Sequence, residues 1–158
     1  MKQVKSIAIF VFLILLSSCK EEIFLNEIDS DIKITMQESM ESGKRALQFC
    51  CETDTAYPCF NYKIIHSVKR SSNTINIVFE GIYFSTICAD AFGPATATID
   101  LGSLPTGDYK LNLKVGKKSS NAILGVSPEM YSVSFSSLEQ IQFTDTHLNR
   151  ITEPIKNK

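Results

Sequence analysis

Apolar and polar residues follow two regimes along this chain. From Ile7 to Leu16 every position is apolar (IAIFVFLILL), whereas from Asp31 onward apolar positions alternate with polar ones. A period of two puts successive side chains on opposite faces of a strand, one face buried and the other wet. The clearest case is Asp108–Val115, with Tyr109, Leu111, Leu113 and Val115 on one face and Asp108, Lys110, Asn112 and Lys114 on the other. Ile32, Ile34 and Met36 show the same period, as do Leu47, Phe49 and Cys51, and Ile75, Ile77 and Phe79. The last of these continues past Gly81 as Ile82–Cys88, and further short strands are predicted over Phe60–Val68, Thr96–Leu101, Asn121–Val126, Tyr131–Phe135 and Leu138–Phe143.

Turn-forming residues punctuate these runs. Glu38–Lys44 holds Gly43 and predicts a turn, with one short helix over Gln37–Ala46 as the alternative. Glu52–Pro58 (ETDTAYP) predicts another turn, which would fold Leu47–Val68 into a hairpin. Ser71–Asn73, Ala91–Pro94, Gly102–Gly107 and Gly116–Ser120 predict the remaining connections, and Gly81 marks a bulge. Seven to nine short strands with turns every 8–12 residues or so, and no competing helical period, indicate an all-β chain folded as an antiparallel β-sandwich. Within it, Leu104-Pro105-Thr106-Gly107-Asp108-Tyr109 resembles the Leu-x-x-Gly-x-Tyr turn of immunoglobulin-like and fibronectin-like domains. The resemblance covers Ile99 to Phe135 and implies an immunoglobulin-like sandwich. The Cys-Trp-Cys core of antibody domains is missing, since the chain has no Trp.

The apolar run near the start has a different meaning. Ile7–Leu16 is too short to cross a bilayer, which takes roughly 20 residues as a helix. Lys2 and Lys5 before it complete the layout of a secretory signal. Leu16-Ser17-Ser18-Cys19 follows and resembles the lipobox of bacterial lipoproteins. That resemblance implies cleavage after Ser18 and a diacylglycerol on the Cys19 thiol, so the lipid membrane is the first expected partner. Lys20-Glu21-Glu22 resembles the lysine-plus-two-acids export signal of some Gram-negative lipoproteins, which implies display on the outer face of the outer membrane. The chain then divides into a signal peptide (1–18), a lipidated tether (19–30), a sandwich domain (31–150) and a frayed tail (151–158).

Charge and composition narrow the function. Sixteen basic residues against 17 acidic ones leave a net charge of −1 with no basic patch, so no nucleic-acid partner is expected. Cys50, Cys51, Cys59 and Cys88 remain after the lipidated Cys19. An even count in an exported chain predicts two disulfides. Their spacing lacks the close cysteine pairs of a zinc site, so no metal is expected. Alternation turns Cys51 inward and Cys50 outward, which favours Cys51–Cys88 in the core and Cys50–Cys59 as a surface clasp. Cys51–Cys59 with Cys50–Cys88 is the alternative.

Catalytic signals are sparse. The two histidines, His66 and His147, have no nucleophile motif near them in sequence. Asp90, Asp100 and Asp108 form no calcium-loop pattern, and there is no phosphate-binding glycine loop. No cofactor is expected. Asp54-Thr55-Ala56 resembles an O-glycosylation sequence of some exported bacterial proteins, which makes Thr55 a candidate acceptor. Tyr57 and Phe92 fall in predicted loops and are candidate binding-surface aromatics. The expectation is a lipid-anchored binding or accessory module of the envelope with a protein or glycan partner. A protease inhibitor using the 52–58 loop and a carboxylate-based enzyme are the alternatives.

Overall fold

The computed structural model describes residues 26–41, 44–58, 61–83 and 91–151, and among these there are ten strands and no helix. They are β1 (Ile32–Glu41), β2 (Lys44–Tyr57), β3 (Lys63–Ser71), β4 (Thr74–Tyr83), β5 (Gly93–Gly102), β6 (Gly107–Val115), β7 (Lys118–Val126), β8 (Met130–Ser137), β9 (Ile141–Phe143) and β10 (His147–Asn149). Alternation works as predicted within them. Tyr109, Leu111, Leu113 and Val115 are buried, and so are Ile32, Ile34 and Met36, and Leu47, Phe49 and Cys51. The bulge expected at Gly81 lies beside it, where the β3–β4 register shifts between Ile65 and His66.

All ten strands belong to one sheet, in the order β10-β8-β7-β6-β4-β3-β5-β2-β1-β9. The chain is therefore all-β, but three neighbours are parallel: β1 with β9, β3 with β5, and β4 with β6. This departs from a purely antiparallel arrangement, and the cause lies in the connections. The expected Leu47–Val68 hairpin does not form. Glu52–Tyr57 continues β2 instead of turning, and β2 pairs with β1 on one side and β5 on the other. With both its edges occupied, β2 leaves β3 to pair with β4 and, at the single position Lys63↔Thr96, with β5. A bulge between Glu52 and Ala56 absorbs the polar ETDTA stretch. Buried Thr53 holds that bulge: its Oγ1 accepts the Ala95 N–H at 2.9 Å and donates to the Thr55 carbonyl at 2.9 Å.

The sheet curls until its two edges are neighbours. β9 lines the β1 edge and β10 the β8 edge, yet only Thr144, Asp145 and Thr146 separate them in sequence. Thr144 N–H donates to Ile34 O at 3.0 Å, and Val133 N–H donates to Thr146 O at 2.8 Å. Two residues of extended chain span about 7 Å, so the edges meet at this segment. Aromatic rings follow the same closure. Phe143 on β9 sits 5.7 Å edge-on from Phe49 of β2 and 5.4 Å from Phe135 of β8. One core fills the interior, with Ile32, Ile34, Leu47, Phe49, Ile99 and Leu101 contributed by β1, β2 and β5 facing Ile75, Ile77, Leu111, Leu124 and Tyr131.

A polar clasp reinforces the closure. The Glu38 side chain is only 1% exposed, and it accepts the Tyr131 hydroxyl at 2.9 Å, Arg150 Nε at 3.5 Å and the Ile151 N–H. Arg150 lies over the Tyr131 ring, 5.1 Å from its centroid, and donates to Ser127 O at 2.8 Å. β1 is thereby tied to β8 and to the residues after β10. The predicted tether is shorter than 19–30, because Asn26 pairs with Ile82, Ile28 is buried, and Gln140 Nε2 donates to the carbonyls of Ile28 and Ser30. Ile151 is the last described residue, and the rest of the predicted tail lies outside the described residues.

Removing one partner of a buried charged hydrogen-bond cluster leaves the others unsatisfied. Glu38→Ala should cost about 2–3 kcal/mol, discounted because Arg150 keeps some solvent contact. Glu38→Gln, which still accepts from Tyr131, should cost less. Equilibrium urea unfolding of the two variants measures the difference, and equal midpoints for Glu38→Ala and wild type would contradict the clasp.

Candidate functional site

The strand directions give the molecule two distinct ends, about 30 Å apart at the length of β4. At one end β2 finishes at Tyr57, β3 starts at Lys63, β4 finishes at Tyr83 and β5 starts at Gly93. Tyr57 pairs with Gly93, so Phe92 lies beside it. Tyr57 also stacks on Tyr62, with centroids 4.8 Å apart. Burial raises the Tyr57 hydroxyl above the ordinary tyrosine range, assisted by the charge of Asp29. Phe92 is 77% exposed and Tyr83 39% exposed. The chain also enters the fold at this end. Asn26 and Ile82 exchange both backbone hydrogen bonds, at 2.9 and 2.8 Å, as an antiparallel bridge.

The opposite end is polar and carries a groove. The β3–β4 turn at Ser72 and Asn73, the β5–β6 connection Gly102–Gly107 and Ser127–Glu129 meet there. Lys110 N–H donates to Asn73 O at 2.7 Å and joins the β3–β4 turn to β6. Between them lies a groove of about 340 Å³, lined by Arg70, Ser72, Asn73, Leu104, Thr106 and Tyr109 among others. A neighbouring hollow of about 400 Å³ shares Ser72 and Asn73 and adds Asp108, Lys110 and Ile123. Exposed side chains of both charges thus border a surface built on Asn73.

Ser72, beside this groove, sits at φ 49° in the left-handed region, as Gln140 does at φ 60° at the opposite end. Such conformations cost about 1 kcal/mol or more for a residue with a Cβ and persist where surrounding structure fixes them. Tyr109 explains the Leu-x-x-Gly-x-Tyr resemblance locally. Its hydroxyl donates to Pro105 O at 2.9 Å, and this bond folds the connection back over the end of the core.

The remaining predicted residues fall as follows. Cys19, Lys20, Glu21 and Glu22 lie outside the described residues, as do Cys59 and Cys88. Cys51 is buried and Cys50 half-buried, as alternation predicts, and both are free thiols. The other ends of the expected bridges, Cys59 and Cys88, lie outside the described residues. Cys51 lies mid-strand between Ile34 of β1 and Ala97 of β5, and its Sγ contacts its own strand at Phe49 O, 3.7 Å away. Cys50 faces a hollow of about 300 Å³ on the outer sheet surface, lined mostly by polar residues such as Thr35, Gln37, Glu52 and Thr98. Thr55 is exposed, but on the β2 bulge and not on a hairpin tip.

Both histidines contact neighbours in their own stretch of chain. His66 Nδ1 lies 3.5 Å from Ile64 O, within its own strand. His147 Nδ1 pairs with Thr146 Oγ1 at 2.9 Å, and Asp145 instead accepts from Thr144. Among the described residues no three His, Cys, Asp or Glu side chains cluster as a metal site. Sequence reasoning missed the groove because its residues come from separate turns. The clustered turn formers Ser71–Asn73 and Gly102–Gly107 were the available signal, and only the parallel β4–β6 pairing puts them at one end. The chain has no significant match among family models, curated proteins or solved structures.

Burial pushes the Cys51 thiol up to about 12, with a smaller contribution from Cys50. It should thus stay a neutral thiol at pH 8, where only the thiolate alkylates. Iodoacetamide should modify Cys50 in the native protein and reach Cys51 only after unfolding, as read by fragmentation mass spectrometry. Because the folded value is raised above the ordinary 9.0, stability is unaffected by this group below about pH 9 and falls as pH rises toward 12. Simultaneous labelling of both thiols would contradict this burial.

Proposed function

We propose that this chain is a lipoprotein of the outer membrane, anchored through Cys19 and displayed at the cell surface, that works as a binding module. In this reading the ligand-facing surface is the groove around Ser72, Asn73 and Thr106. The observation that carries the proposal is the Asn26–Ile82 bridge. It brings the chain from the anchor into one end of the sheet and leaves the groove at the other. Cys19 precedes Asn26 by 26 − 19 = 7 residues, so the tether reaches at most about 25 Å. A groove placed beyond a 30 Å strand length, roughly, faces away from the membrane, where partners arrive.

The scaffold is proposed to act as a sandwich of the immunoglobulin-like kind, with β5-β2-β1-β9 as one layer and the remaining strands as the other. Support comes from the thin seam between β3 and β5, one residue pair wide, and from the Tyr109 turn. Thr55, exposed beyond the Thr53 bulge, keeps a position suited to O-linked sugar. The pairing of Glu52–Tyr57 as strand favours this reading over an inhibitor loop at 52–58.

Three forms of the protein test the anchor. Wild type should incorporate labelled fatty acid and be digested by protease added to intact cells. Cys19→Ala should lose the label and leave the membrane fraction. Replacing Lys20, Glu21 and Glu22 together by Ala should keep the label but shield the protein from protease. Equal labelling of wild type and Cys19→Ala would refute the anchor site.

A photo-crosslinking residue at Thr106 should capture a discrete partner on intact cells. The same residue at Glu52, on the outer face of β2, should capture none. Identical capture patterns at both positions would remove the groove from the reading.

A further inference from the structure

We propose that the aromatic end of the sheet docks onto the lipid bilayer that carries the anchor, with Phe92 and Tyr83 entering the headgroup layer. This rests on the lipid-anchor reading and adds an orientation to it. The tether alone gives the domain freedom within about 25 Å of the surface but does not choose which side faces the lipid. The direction of entry makes that choice. In the antiparallel Asn26–Ile82 bridge, the chain upstream of Asn26 departs in the direction in which β4 runs on to Tyr83.

The side chains at this end suit that neighbour. Six large apolar residues are exposed among the described residues, and three of them, Tyr83, Phe92 and Leu138, occur here, with Phe92 the most exposed at 77%. Phe92 projects almost free of the protein, and Tyr57 and Tyr62 stack behind it as a firm base. Aromatic rings favour the membrane interface, where an apolar body meets lipid while a polar edge stays hydrated. Charges at this end are mixed: Lys63, Lys117 and Lys118 stand with Glu27, Asp29 and Glu139. Attachment is therefore apolar insertion, not adhesion to anionic lipid, and it is insensitive to salt. Docking at this end also holds the groove at its greatest distance from the membrane.

The chain contains no tryptophan, so a single substitution places one reporter. Phe92→Trp is compared with Ile123→Trp, which sits on the outer face of β7 near the groove. Both are made in the full-length acylated protein and reconstituted in phosphatidylcholine–phosphatidylethanolamine vesicles with brominated acyl chains. Tryptophan at 92 should emit blue-shifted and be quenched at least about twofold, at low and high salt alike, as expected for a ring at headgroup level. Tryptophan at 123 should emit as in water and stay unquenched. If both positions are unquenched in protein that carries the fatty-acid label, the docking is overturned while the anchor stands. Equal quenching at both positions overturns it too, since the domain then has no preferred end. Absence of the label removes the anchor reading, and the docking with it.

Discussion

Closure of a single curled sheet by the segment Ile141–Asn149 is the constraint on which the rest of this structure depends. An open sheet presents two unpaired edges and two faces, and only one face can bury the alternating apolar residues. Here one short segment supplies both edge strands, β9 against β1 and β10 against β8, so the edges are held side by side. The inner faces are then forced onto one core. Phe143 packs between Phe49 and Phe135 at this closure, and the Glu38–Tyr131–Arg150 cluster ties it from the far end. The buried carboxylate sits there because three donors from two parts of the chain, Tyr131 and Arg150–Ile151, converge on it.

Closure also gives the molecule its polarity. Strands aligned around one core put all connections at two ends, and the residues in those connections divide by chemistry. Exposed aromatics and the entry of the chain share one end. Polar turn residues and the shallow groove share the other. In the proposed lipid-anchored reading, that division would separate a lipid-facing end from a ligand-facing end.

Local chemistry and global topology are decoupled in instructive ways. The Leu104–Tyr109 turn forms the hydroxyl-to-carbonyl bond its pattern implies, although the surrounding strand order includes parallel pairs. A four-residue reach needs only the turn and the start of a strand, so it carries no information about which strand lies alongside. The thiols show the same separation. Cys51 points inward and Cys50 outward as period two requires, whatever strand lies alongside.

What the sequence determined by itself is everything that depends on neighbours one to six residues away. It dictated the all-β character, the inward faces of β1, β2, β4 and β6, the Ser72–Asn73 turn and the bulge beside Gly81. Side-chain alternation and turn propensity act at that range. Tertiary structure alone decided that ETDTAY continues β2, because backbone pairing with β5 and the buried Thr53 hydroxyl outweigh a polar, turn-prone composition. It also decided that β4 lies parallel to β6, that Asn26–Ser30 belongs to the domain and not to the tether, and that distant turns meet as a groove. Those outcomes depend on hydrogen bonds between residues tens of positions apart, which exist only once the whole sheet has curled around its core.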